Sequence, residues 1–596
     1  MKKKAILIFG VLIFLIGNVR ADCVEGITAG NNISQYGITW FFDKPYQCGT
    51  FVNGDYWVKT DDSTGVVNVI RITPDFQQFN FNSYLKWING WEVNPTYSNK
   101  HGFDERAQLY DAILVPSLPY NAHADESLIK ADSWEEAGFT TGYRRCEGGD
   151  TPTCLYAVSV LTVVGAIPEN NGETVFRPSY FGANKVYYSS NNLRTDLLPS
   201  LNPVTNAPTL QWAVNRFKPV QLDYIAVADL ADYLHPRMSW PNYYPASMAR
   251  DVGNGVLRLM LNDSVSAKMP AVIAMTQAGI DYYGIFKGGI SWSPGAGEAI
   301  GRKMPIIFAS VMLDNAEMKN AVRPSRSGIL DDKGLGFTAF GEDQPYQGKN
   351  TVLWGDPLGS AKYCPDEDFY WEDIIADSTR TCRDPYGYID GGRIPGGGYQ
   401  LCCTSDAWLG ETLALCLMPS LRDPWNVTYY QYLLDYTARW KDSGAYTQPD
   451  PCAPVEGVCV GGTRNGQKCT TAWFVSAEWA GTTDTFCTGG GICQLSLDKF
   501  KVTYGPDPNK PGDCIMDNDT SDGIGRFPLL HEKNQGIWTG YSSEFAHSMW
   551  AKYKNCSNGV MDGTETGKDC GGICPEECVT PVQGNCEIKK AYWRIL

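Results

Sequence analysis

The chain has 596 residues, 43% of them hydrophobic, with 18 Trp, 33 Tyr and 23 Phe and a formal net charge of −16. That apolar content excludes a disordered tail or a low-complexity fibre, and the length allows about three or four domains. An acidic surface repels phosphate backbones, which argues against nucleic acid as a partner.

Residues 1–21 read as a signal peptide. Lys2, Lys3 and Lys4 precede an apolar run from Ala5 to Gly17, and Val19-Arg20-Ala21 stands at the cleavage position. The run is short for a bilayer span, with an uncleaved anchor as the rival reading. Losing Lys2, Lys3, Lys4 and Arg20 takes the net charge from −16 to −20. No other long apolar run follows, so no stable membrane span is expected after signal removal, and an extracellular or cell-surface location is. Twenty cysteines, an even number, then argue for disulfides. Cys146 and Cys154 flank a short turn and are expected to bridge it, while the adjacent Cys402 and Cys403 need different partners. Zinc is disfavoured because the five His stand apart from the Cys clusters. Sequons occur at Asn32, Asn262, Asn426, Asn518 and Asn555.

Residues 22–205 are expected to be β-rich. ITWFFD, DYWVKT, VVNVIRI, AILVPSL and LYAVSVLTVV are short β-branched and aromatic runs between turn residues, which suggests a β-sandwich-like domain. From 206 to 451 the period becomes helical, through PTLQWAVNRF, PASMARDVGNGVLRLMLN, AKMPAVIAMTQAGIDYYGIFKGG, RKMPIIFASVML, NAEMKNAV and CCTSDAWLGETLALCLMPSL. Asn206, Asp314, Ser405 and Ser542 are the expected N-caps. Eight or so helices joined by long loops suggest a helical barrel or an irregular bundle, not a coiled coil. Residues 335–401 are a long loop region, a candidate lid; its acidic stretch Asp366, Glu367, Asp368, Glu372 and Asp373 reads as a solvated face. Six cysteines make 452–514 a disulfide-rich insert, and 515–555 returns to the end of the helical domain. The fold class is therefore multidomain α+β.

Residues 556–596 are a Cys-rich tail with few apolar residues, which disulfides or a bound ion must hold. Asn558, Asp562, Glu565 and Asp569 are spaced loosely like an oxygen-ligand loop, so Ca2+ is a candidate there beside a solvated, disulfide-held linker. The last segment, CEIKKAYWRIL, reads as a strand with no sheet of its own, as in a truncated chain or one completing a neighbouring edge.

ITWFFDKPYQCGTFVNGDYWV, GIDYYGIFKGGISWSPGAGEAIGRKMPIIFASVML and CCTSDAWLGETLALCLMPSLRDPWN resemble segments of large secreted microbial proteins, most without an assigned function. The family pattern has a His ahead of the Gly-Arg-Lys where this chain has Glu298. The pairing of β-rich and helical domains also resembles α/α-toroid polysaccharide lyases, which implies a carbohydrate-active enzyme. The tail is similar to linkers of archaeal and bacterial surface proteins, which implies a cell-surface setting.

No HExxH, GxSxG or P-loop is present. Three clusters remain. His101 stands beside Asp104, Glu105 and Arg106 as a candidate general base, or in a solvated turn where Asp and Arg pair. His235 precedes Pro236 near Trp240 and Tyr243, a candidate pocket rim or an ordinary helix end on packed aromatics. Asp281, Tyr282, Tyr283, Trp292, Glu298, Arg302 and Lys303 surround a glycine-rich loop, with Asp281 and Glu298 as an acid–base pair and Arg302 as a carboxylate clamp; alternatively Asp281 and Arg302 simply pair and the loop is a structural turn. The expected activity is that of a polysaccharide lyase or glycoside hydrolase, with Asp281, Glu298, Arg302, His101, His235 and Tyr243 catalytic and Tyr282, Trp292 and Trp240 binding substrate. The alternative is a non-catalytic surface protein that binds glycans or builds an envelope.

Overall fold

A computed structural model describes residues 31–136 except 99, 138–140, 145–147, 153–225, 234–238, 245–292, 300–323, 340–343, 406–425, 433, 437, 457–469, 488–495, 541 and 543–554. The chain is α+β. The signal segment, the acidic stretch, Ser405, Ser542 and the whole tail with its candidate Ca2+ ligands lie outside the described residues.

The N-terminal strands are β1 (Asn31–Gln35), β2 (Ile38–Phe42), β3 (Cys48–Thr50), β4 (Tyr56–Lys59), β5 (Val66–Thr73), β6 (Gln77–Phe81), β7 (Tyr84–Ile88), β8 (Trp91–Val93), β9 (Tyr120–His123), β10 (Glu126–Ser133), β11 (Gly138–Thr140), β12 (Arg145–Glu147) and β13 (Leu155–Val164). One sheet has the order β1-β2-β5-β9 and is antiparallel throughout. The other runs β3-β4-β13-β10-β8, antiparallel except where β13 pairs parallel with β4. The central strand β13 is buried at nine of its ten positions because both of its faces are covered. Leu161 and Val163 pack with Ile38, Trp40, Val67 and Val69 of the first sheet. Val158 and Val160, on the opposite face, pack with the helices. In β10 the same alternation sends Leu128 one way and Ile129 and Ala131 the other. Trp91 of β8 meets Trp40 edge to face, with ring centroids 6.4 Å apart, and so ties the two sheets together.

The helices are α1 (Leu210–Phe217), α2 (Pro245–Leu259), α3 (Val265–Lys287), α4 (Lys303–Met312), α5 (Ala316–Ala321), α6 (Leu409–Leu417), α7 (Arg422–Trp425) and α8 (Glu544–Tyr553). Glycines set two close crossings. A Cβ at Gly279 of α3 would lie 2.1 Å from the Pro305 carbonyl of α4, and one at Gly253 of α2 would lie 2.6 Å from the Glu411 nitrogen of α6. Those contacts hold the start of α4 and the first turn of α6 against neighbouring backbones. Within the insert, β14 (Gly457–Val460), β15 (Lys468–Cys469) and β16 (Ile492–Leu495) form a sheet of order β15-β14-β16.

Cys146 and Cys154 form the expected bridge, and Cys48, Cys416 and Cys459 are disulfide-bonded as well. No described helix is long and apolar enough to cross a membrane. Two local expectations fail. AILVPSL is not a strand: Ala112–Leu114 form a 3-10 turn, because the Asp111 side chain accepts from the Ile113 nitrogen and turns the chain there. The caps of α1 and α5 are Thr209 and Asn315, not Asn206 and Asp314, which both take positive φ just ahead of the helix.

Candidate functional site

A line of buried charge runs from the five-stranded sheet into the helices. It begins at Arg177. Its Nε donates to Asp55 Oδ2 at 2.6 Å, its Nη1 donates to Asp281 Oδ1 at 3.0 Å, and its Nη2 donates to the other Asp281 oxygen. Asp55 also accepts from Gln35 at 2.9 Å and Asn53 at 2.7 Å, so each side of the guanidinium is satisfied. Burial pushes the Asp281 carboxyl above the ordinary carboxylate range, against the pull of Arg177. Asp281 is thus held in an ion pair, and its partner is not Arg302.

Arg302, immediately before α4, makes its own pair. Its Nε donates to Asp223 Oδ2 at 2.6 Å, its Nη2 to Asp223 Oδ1 at 3.3 Å and its Nη1 to the Ile300 carbonyl at 3.0 Å. Trp292 Nε1 donates to the Asp223 carbonyl at 3.1 Å. His235 Nε2 lies 3.7 Å from Asp223 Oδ2. Burial pulls the His235 pKa down to about 4 despite Asp223, so this imidazole is neutral at pH 7. Gln221 and Tyr282 connect the two pairs: Gln221 Oε1 accepts from the Tyr282 hydroxyl, and the Gln221 carbonyl accepts from Tyr180 at 2.7 Å. Of the residues chosen from sequence, Asp281, Tyr282, Trp292, Arg302 and His235 therefore gather on one buried line. Glu298, Trp240 and Tyr243 lie outside the described residues.

The next residue, Lys303, reaches a different environment. Its ammonium donates to the Trp425 carbonyl at 3.1 Å and sits 4.6 Å from the centroid of that ring. Two fully buried carboxyls share the neighbourhood. Glu342 Oε1 accepts from the Gly301 nitrogen at 2.7 Å, while its Oε2 has no hydrogen-bond partner among the described residues. Glu411, in the first turn of α6, is 0% exposed, and neither of its oxygens has a hydrogen-bond partner among the described residues. Burial pushes Glu411 well above the carboxylate range, the Glu342 charge pushes it further, and Lys303 opposes both. Glu342 is raised as well, by burial. Burial pushes both carboxyls towards the protonated form, and the charge of Glu342 adds to that push at Glu411.

Sequence reasoning missed Glu342 and Glu411. Glu342 falls in the stretch read as a lid. For Glu411 the signal is visible in hindsight, since it is the single charged side chain between Leu409 and Leu417, every one of which is buried. Asp406 and His547 were missed too; His547 Nε2 of α8 meets Asp406 Oδ1, in the turn ahead of α6, at 2.6 Å.

His101 stands apart from this line. Its Nδ1 accepts from the Phe103 nitrogen at 3.3 Å, which leaves Nε2–H to donate to the Gln108 carbonyl at 2.7 Å. Burial pulls its pKa down to about 4. Asp104 and Arg106 do pair, at 2.8 and 2.9 Å, but fully buried rather than in a solvated turn. Glu92 accepts from the Gly102 nitrogen at 2.5 Å and from Tyr224 at 2.8 Å, and burial pushes its pKa up to about 7. Asp104, Cys146 and Cys154 lie close enough to suggest a metal, but the two sulfurs are spent in their disulfide.

Comparison of the chain with family models, curated proteins and solved structures finds no match.

Proposed function

We propose that the chain is an exported or cell-surface protein that acts on an extracellular polysaccharide by acid–base chemistry, with Glu411 and Glu342 as the proton-carrying pair. The observation that carries this reading is a buried carboxyl, Glu411, with both oxygens unpaired beside a second acid and an ammonium. Such an arrangement holds one carboxyl protonated and one ionised at the same pH, which glycoside hydrolysis requires of its acid and base. Lys303 offsets negative charge developing beside them, as β-elimination of a uronate also needs. Export fits the signal-like N-terminus and the bonded cysteines. The likeness to secreted microbial proteins belongs to the same reading. So does the finer architecture, in which the two facing sheets are a β-sandwich and the helices an arc of an α/α toroid.

A second reading has its own support. Asp281, Arg302, His101 and His235 are all buried, Asp281 and Arg302 in bidentate ion pairs, as in a rigid binding or envelope protein. Incubation of the oxidised protein with a panel of extracellular polysaccharides separates the two. Ultraviolet absorbance reports unsaturated uronates and a reducing-end assay reports hydrolysis. Activity in the parent protein that falls at least a thousandfold in Glu411→Gln supports the acid–base pair. Activity that survives the substitution, or silence across the panel with retained glycan binding, overturns it in favour of the second reading.

A further inference from the structure

Arg302 is the carboxylate clamp expected from sequence, and Asp223 occupies it. Another guanidinium is open. The Arg237 Cζ lies 3.8 Å from the ring centroid of Trp134, a distance reached only over the face of the indole. A guanidinium stacked in this way points its N–H bonds sideways and spends none of them on the ring. Among the described residues, no hydrogen bond or ion pair takes them. Glu135 and Glu136 follow Trp134 at the surface, and neither pairs with Arg237. Arg106, Arg177, Arg258 and Arg302, by contrast, each meet an aspartate. The stack is also held in place by backbone bonds. The Trp134 nitrogen donates to the Cys154 carbonyl at 2.8 Å, and the Trp134 carbonyl accepts from Arg106 Nη1 at 2.9 Å. The Arg237 nitrogen is tied to the same stretch, donating to the Leu155 carbonyl at 2.9 Å, and the next nitrogen, of Met238, donates to the Tyr156 carbonyl at 3.1 Å. The Thr153 hydroxyl holds the His235 carbonyl at 2.5 Å. Arg237 is thus half-buried and positioned before any ligand arrives, so little further freedom is lost on binding.

We infer that Arg237, stacked on Trp134, is a subsite for the carboxylate of a uronate unit. Its fork of N–H donors matches the two oxygens of a carboxylate. In a chain of net charge −16 an anion is otherwise repelled, so it needs a cation that the fold has not already neutralised. That the carboxylate belongs to a sugar rests on the polysaccharide reading above; the open guanidinium does not.

Titration of the full oxidised protein with methyl β-D-glucopyranosiduronate and with its methyl ester, followed by saturation-transfer NMR, tests this. The two probes share a ring and differ in the charge of one carboxyl. The uronate is expected to bind about tenfold more tightly than the ester. In Arg237→Gln, with folding checked by its thermal midpoint, that preference is expected to vanish. Arg237→Lys keeps the charge but loses the fork, so it is expected to lose most of the preference, and it gives the readout should the first variant fail to fold. Equal affinity for the two probes, no binding of either, or a preference that survives Arg237→Gln overturns the subsite. So does poly-L-glutamate that displaces the uronate at equal carboxylate concentration, which would make Arg237 a general anion contact. Turnover of the polysaccharide panel separates this inference from the catalytic one. If turnover is absent while the uronate preference holds and is lost in Arg237→Gln, the subsite stands and the acid–base reading falls. If turnover is present and the preference is absent, the reverse is true.

Discussion

Asp281 and Glu411 are both carboxyls on buried helices, and they are treated in opposite ways. Asp281 receives two hydrogen bonds from Arg177, whose remaining Nε is taken by Asp55. Glu411 receives none among the described residues. Desolvation acts on both, but at Asp281 a bidentate cation offsets it, and at Glu411 only Lys303 at longer range does. A saturated buried pair fixes structure; an unsaturated one keeps a proton available. The largest effect that checks this contrast comes from the saturated side. Arg177→Met strands Asp55 and Asp281 without their cation and is expected to cost about 3–5 kcal/mol, read from the urea midpoint of the oxidised protein. A cost under about 1 kcal/mol would mean that the pair is not what joins sheet to helices there.

The same comparison extends to pH through Glu92, which accepts from the Gly102 nitrogen, and His101, the residue before that glycine. Glu92 is raised to about 7, so its contribution is fully present below its ordinary value near 4.5 and is lost as pH rises towards 7. His101 is lowered to about 4, so its contribution is present above 6.5 and is lost as pH falls through 4. The two slopes oppose and nearly cancel in the native protein. Glu92→Gln removes one of them, and stability is then expected to climb by about 3 kcal/mol between pH 4 and 6.5, with His235 adding in the same direction. Asp281, Glu342 and Glu411 slope the other way, so the His101 part is read as the difference between Glu92→Gln and Glu92→Gln/His101→Asn, and no difference would show that His101 does not stay neutral on folding.

Much of the sheet was legible in the sequence because period-two burial leaves its mark on residue choice. ITWFFD alternates as β2 does, and the unbroken apolar run of LYAVSVLTVV reflects a strand covered on both faces. AILVPSL has the same composition, and there the side chain of Asp111 decided the outcome. The site was legible only by halves. The block around Asp281 and Arg302 did mark a buried polar region, but their partners Arg177 and Asp223 come from 104 and 79 residues away, and no local spacing encodes a long-range ion pair. Glu342 and Glu411 feel the charge of Lys303 for the same reason, across long separations in the chain, and Glu411 is held at a helix crossing set by Gly253.

One of those crossings gives the next prediction. Gly253→Ala pushes a methyl group into the backbone of α6 at Glu411, where no flexible side chain can yield, and is expected to cost about 1–3 kcal/mol. If Glu411 is a proton carrier, the variant also loses activity beyond its loss of folded fraction. Glu411→Gln acts in the other direction. At pH 8 the native carboxyl gives up stability to stay folded with a proton or an unpaired charge, so the variant is expected to be about 1 kcal/mol more stable. At pH 4, where the acid is protonated folded or unfolded, the gain is expected to disappear. A loss of stability at pH 8 would mean that Glu411 accepts a bond after all.

Solvent is the remaining variable in the comparison, and Lys287 with Glu317 isolates it. Their ammonium and carboxylate meet at 2.9 Å, a distance as good as those around Arg177, but the side chains are 50% and 68% exposed. Water already solvates both ions in the unfolded and folded chain, so pairing replaces little that was lost. Lys287→Ala is expected to cost less than about 0.5 kcal/mol, and the coupling in a double-mutant cycle with Glu317→Ala to shrink further in high salt. The carboxylate of Glu317 also accepts from Tyr283 at 3.1 Å, so the single Glu317 variant should cost more than the single Lys287 variant. If the lysine variant alone cost as much as Arg177→Met, then contact distance rather than desolvation would rank the ion pairs of this protein, and the distinction between Asp281 and Glu411 would lose its physical basis.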